Sequence, residues 1–178
     1  MRQQVSLRLS RKWDFVVIGV LMILLYGCAT LPLVQRDELI GSWRLVSRVD
    51  RTPDGRTLIE PTLGSNPVAL LIYDRGGNVS AQLMRRDRNS ASPAGAPTDP
   101  NNSGALNGYD AYLGVYTVDQ SSGTVTHTLT AALVQSDIGR KLVRRFRFDR
   151  GDLIIWFEVR GPSGEQVTRT LTWRRADR

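Results

Sequence analysis

From Trp43 to the end of the chain, apolar and polar residues alternate with a period of two, the signature of half-buried strands rather than helices. Trp43, Leu45, Ser47 and Val49 share one face of a first strand, with Arg44, Val46 and Arg48 on the other. Further strand-like runs follow at Val68–Tyr73, Asn78–Met84, Tyr112–Asp119, Thr124–Leu129, Lys141–Asp149, Leu153–Val159 and Gln166–Trp173. Turn chemistry stands between most of them, as in Pro53-Asp54-Gly55, Asp74-Arg75-Gly76-Gly77, Gln120-Ser121-Ser122-Gly123, Asp149-Arg150-Gly151-Asp152 and Gly161-Pro162-Ser163-Gly164. About eight short strands separated by turns predict an all-β antiparallel barrel or sandwich. No stretch has the pattern of a useful amphipathic helix. Residues 85–108, rich in Ser, Pro, Ala, Asn and Gly, have almost no large apolar side chain to bury and read as a mobile loop.

The first 28 residues follow another rule. A basic stretch ends at Trp13, and an apolar run, Phe15–Leu25, is too short for the roughly 20 residues that span a bilayer. Basic start and short apolar core read as a secretory signal. Leu25-Tyr26-Gly27-Cys28 resembles the lipobox of bacterial lipoproteins, although Tyr26 is bulkier than usual at its position. The resemblance implies cleavage before Cys28, diacylglycerol on its sulfur and acylation of the new amino terminus. Two or more acyl chains give a stable anchor where one does not. Ala29, rather than an aspartate, then favours the outer membrane, facing the periplasm. The expected organisation is a lipoprotein signal peptide (1–27), a lipidated tether (28–37) and one β domain (38–178).

The 178 residues carry a formal net charge of +7, to which Arg2, Arg8, Arg11, Lys12 and Asp14 contribute +3 and the rest +4. That excess is too small to argue for nucleic acid. In the basic run from Arg140 to Arg147, the outward arginines Arg145 and Arg147 read mainly as a solvated strand edge, with some attraction to anionic lipid. Cys28 is the only cysteine and His127 the only histidine, so disulfides are excluded and no metal site is expected. No cofactor motif is present, and nothing indicates the oligomeric state.

Alternation cannot separate barrel from sandwich, but Gly41-Ser42-Trp43 carries the Gly-x-Trp of lipocalins and other calycins. With Leu71-Ile72-Tyr73, Gly77, Tyr109–Asp119, Thr124–His127 and Leu171–Arg175, the chain resembles the bacterial and fungal lipocalin-like domain family over about residues 38–175. The resemblance implies an eight-stranded, antiparallel, up-and-down β-barrel with one open end. It also implies that Arg174 or Arg175 packs across Trp43.

An eight-stranded barrel can fill with side chains or hold one small ligand. Parity places His127 inward with Val125 and Leu129, Arg144 inward with Leu142 and Phe146, and Arg169 inward with Val167 and Leu171. One reading has Arg144 and Arg169 anchoring an acidic head group while His127, Tyr112 and Tyr116 orient an apolar body. The protein would then carry, buffer or sense a small hydrophobic or amphipathic ligand. The alternatives are a packed barrel that contacts another envelope protein, and an isomerase-like or cyclase-like enzyme using His127. For the enzyme, no carboxylate lies on an evident inward phase, and Asp110 and Asp119 look like turn residues.

Overall fold

A computed structural model describes residues 36–88 and 99–176, so Cys28 and the export signal lie outside the described residues. After a single helical turn α1 (Arg36–Leu39) come β1 (Gly41–Arg51), β2 (Thr57–Leu58), β3 (Val68–Tyr73), β4 (Asn78–Met84), β5 (Tyr109–Asp119) and β6 (Thr124–Ala132). A 3-10 turn (Gln135–Asp137) leads to β7 (Lys141–Asp149), β8 (Asp152–Arg160) and β9 (Gln166–Arg175). From β3 onward each strand pairs antiparallel with the next, and β1 pairs with both β3 and β9, which closes eight long strands into a barrel. The two-residue β2 lies against the far end of β1. None of the described helices is long and apolar enough to cross a membrane.

Local chemistry explains the tight connections. Asp149 pairs with Asp152 across Arg150 and Gly151, both at positive φ (52° and 88°), as a two-residue turn matched to the strand twist requires. At the end where β1 starts, Trp43 is fully buried and its Nε1 donates to Leu39 O at 2.8 Å, tying α1 across the opening. Arg175, not Arg174, crosses the ring; Arg174 instead pairs with Asp152. The core residues run from Leu39 to Trp173, within the compact unit Val34–Arg178, which therefore carries its own core.

The strand faces follow the expected parity except in β1. Between Leu45 and Ser47 the β1–β9 register shifts, inserting Val46 as a bulge. A bulge reverses which residues face inward downstream of it. Trp43 and Leu45 point to the core as expected, but beyond the bulge Arg48 and Asp50 are buried while Ser47 is exposed. The expectation that Ser47 and Val49 continue the inner face is thus corrected.

Candidate functional site

The lower lumen is filled by Trp43, Tyr73, Tyr116, Val79 and their neighbours. Toward the other end a cavity of about 60 Å³ remains. Leu71, Ala81, Leu83, Ile155, Phe157 and Leu171 form its apolar wall, and Arg48, Glu60, Asp110, Tyr112, His127, Arg144 and Arg169 its polar wall.

Residues 99–105 cover this end. The Asn101 side chain bonds the backbone of Val143 in both directions, donating to its O at 3.1 Å and accepting from its N at 2.9 Å. Gly104 N donates to Asp137 Oδ2 at 2.6 Å, and Asp137 also holds Arg140. Ser103, Gly104 and Ala105 are buried, so this part of the 85–108 segment, which the sequence suggests has little to bury, packs into the barrel mouth.

His127, in the middle of β6, is 2% exposed and sits between two hydroxyls, Tyr73 Oη at 2.8 Å from Nε2 and Tyr112 Oη at 3.0 Å from Nδ1. Burial, reinforced by the charge of Arg144, lowers its pKa to about 3, so the ring is neutral. A neutral imidazole has one donor and one acceptor nitrogen. Both are engaged, which leaves His127 no lone pair for abstracting a substrate proton. Burial raises the Tyr112 hydroxyl to about 12, so it too is protonated.

Arg144 is 4% exposed. Its guanidinium carbon lies 3.5 Å from the centre of the Phe157 ring, and Nη1 donates to Asn101 O at 2.6 Å and Asn101 Oδ1 at 2.9 Å. Among the described residues no carboxylate forms an ion pair with it. Only Asp14 and Asp177 among the acidic side chains lie outside those residues. Burial accordingly lowers its pKa to about 10.

Arg169 is different. Its Nε and Nη2 grip Asp50 at 2.9 and 2.7 Å, a two-point pairing in which the guanidinium fork matches a carboxylate. Arg48 adds contacts to Asp50 at 3.5 Å and to Glu60 at 3.2 Å, and Glu60 also accepts from the backbone N–H of Thr62 and Leu63. Burial alone would raise the Asp50 carboxyl, but the bonds and charges of Arg169 and Arg48 outweigh it and hold the group below its ordinary value. The network joins the two seam strands, β1 and β9.

Asp110 accepts from Ser103 Oγ at 2.6 Å, and burial raises its pKa to about 6. The sequence leaves it beside a turn, yet it has the same parity as Tyr112 and Tyr116, a signal sufficient to place it inward. Asp50 and Arg48 had no such signal, because the Val46 bulge hides their phase.

The structure thus brings His127, Tyr112, Arg144 and Arg169 to one cavity, with Arg169 already occupied by Asp50. Tyr116 is not brought there. Its hydroxyl donates to Asp74 O at 2.9 Å and its ring meets Tyr73 at 4.9 Å, so its assignment as a residue that orients a ligand is corrected to a core contact. Among the described residues no cluster of three or more His, Cys, Asp or Glu side chains could hold a metal ion.

A closed eight-stranded antiparallel barrel, plugged at one end by a tryptophan and hollow toward the other, defines a lipocalin-like fold. The chain belongs to the lipocalin-like domain family, whose model matches residues 40–176. Among curated proteins, none matches this sequence.

Proposed function

We propose that this chain is an envelope lipoprotein whose barrel binds a small amphipathic molecule with an acidic group, as carrier, buffer or sensor. One observation carries the reading: Arg144 is buried beside a cavity and forms no ion pair with a carboxylate among the described residues. A buried charge held by neutral hydrogen bonds and a ring face, without an ion pair, is costly, and an anionic ligand would supply the pair. The rest of the wall sets apolar side chains against placed polar groups, a combination found in small-molecule sites. The anchor rests on Leu25-Tyr26-Gly27-Cys28, and Ala29 favours the outer membrane.

Native mass spectrometry of residues 34–178, expressed in the cells of origin, tests the binding function. A co-purifying small acid, lost on Arg144→Gln, supports it. A barrel that emerges empty and accepts no added acid overturns it. For the anchor, the full chain extracted from membranes should lack residues 1–27 and carry lipid mass on Cys28, and Cys28→Ala should release the protein from the membrane. An unmodified, retained Cys28→Ala protein would remove that part of the proposal.

A further inference from the structure

We infer that the ligand of the lumenal cavity is a short monocarboxylate, received by the Arg144 guanidinium and the Tyr112 hydroxyl. This rests on the reading of the cavity as a ligand site and names the chemistry it selects.

Size comes first. The cavity offers about 60 Å³ to the centres of water-sized molecules. A water's share of liquid volume is roughly 30 Å³, so a space of this order seats a small polar head with a short apolar stem. A fatty acyl chain or a polycyclic lipid exceeds this space and could not be enclosed in it.

The direction of the hydrogen bonds comes second. Tyr73 is 1% exposed and does not line the cavity, and its hydroxyl meets only His127 among the described residues. If His127 carried its proton on Nε2, the Tyr73 proton would be buried without an acceptor, at appreciable cost. The favoured arrangement has Tyr73 donating to Nε2 and the protonated Nδ1 donating to Tyr112. Tyr112 then keeps its own O–H for the cavity. A second donor in the wall, Trp173 Nε1, is buried and has no partner.

The acceptors of the wall are largely taken. Glu60 is bonded to Arg48 and backbone N–H groups, Asn102 Oδ1 accepts from Arg169, and Ser103 holds Oδ2 of Asp110. What Arg144, Tyr112 and Trp173 lack is therefore acceptor atoms, which a carboxylate supplies together with a charge that the Arg144 guanidinium attracts. Asp110 also limits the charge, since a second ligand carboxylate beside it would be repelled. A monoanion fits better than a dianion.

The test uses residues 34–178 titrated with butyrate, butyramide, succinate and decanoate, read by tryptophan fluorescence and calorimetry. Butyrate should bind about ten- to hundredfold more tightly than butyramide or succinate, as expected for a hydrogen-bonded charge. Arg144→Gln should erase that preference, and Tyr112→Phe should weaken butyrate. Because His127 is the only histidine, the two ring nitrogens in a ¹⁵N-histidine spectrum are assigned without ambiguity, and Nδ1 should carry the proton. Equal binding of butyramide, or a preference for decanoate, overturns the inference and leaves the ligand-site reading intact. An Nε2–H tautomer removes Tyr112 as a donor and overturns the two-donor receptor. Binding of none of the four overturns the inference, and the native mass spectrum then decides the ligand-site reading separately.

Discussion

The guanidinium of Arg175 stands 4.4 Å from the centre of the Trp43 ring, while its two terminal nitrogens donate to Ile40 O and Glu38 O at 2.8 Å each. One side chain from the last strand thereby fastens the turn that closes the barrel's lower end. The glycine of Gly-x-Trp has its reason here. A Cβ on Gly41 would lie 2.3 Å from Arg175 Nη1, and Gly41 has φ 139°, a conformation other residues rarely adopt.

Gly41→Ala should therefore cost about 1–3 kcal/mol in urea unfolding, through backbone strain and loss of the Arg175 seat. Arg175→Ala should cost about the same, combining a cation–π contact with two hydrogen bonds. Part of each loss is shared, so the double variant should be more stable than the sum of the two effects predicts. Strict additivity would mean that the glycine and arginine act independently.

Asp110 makes stability fall as pH rises. Its carboxyl titrates near 3.8 when unfolded and at about 6 in the barrel, so between these values the folded protein holds the proton more tightly. The stabilisation is complete below about 4 and is lost as pH rises through about 6, amounting to a few kcal/mol at most. Asp110→Asn should flatten this slope and stabilise the protein at pH 7. Ser103, Asp137, Arg144 and Arg48 face the carboxyl, and only Asp137 shares its charge sign. Protonating Asp110 leaves more of the Arg144 charge to an anion, so butyrate affinity should rise as pH falls from 7 to 5.5. A flat profile in the wild type and Asp110→Asn alike would contradict this.

His127 should not titrate in the physiological range. With its pKa at about 3, the ring proton signals should stay constant from pH 8 to pH 5, and ligand affinity should show no component from this residue. The stabilisation from keeping it neutral is lost only as pH falls from about 6.5 toward 3. A midpoint between 6 and 7 would show a solvated imidazole and break the tyrosine–histidine–tyrosine chain.

Arg144→Met separates binding from folding. A buried charge without a carboxylate partner contributes little to stability, and an apolar side chain of similar length is often neutral or stabilising. Asn101 retains both bonds to Val143, so the covering segment keeps its attachment. The ligand-free variant should unfold at an equal or higher urea concentration, with anion binding abolished. A loss of more than about 2 kcal/mol would assign Arg144 a structural role instead.

Much of the barrel is legible in the residues alone, because strand parity and turn chemistry are local. The alternation in Thr124–Leu129 and Lys141–Asp149 is enough to turn His127 and Arg144 inward, and Arg150-Gly151 is enough to make a hairpin. Even Asp110 could be placed inward by its phase with Tyr112. Tertiary structure decided the rest. The Val46 bulge exists only against β9, and it alone turns Arg48 and Asp50 inward, so that Asp50 meets Arg169 across 119 positions of chain. That pairing occupies Arg169, while Arg144 forms no ion pair with a carboxylate among the described residues. The size of the cavity is likewise a sum over side chains from many strands, each of which parity can orient but not measure.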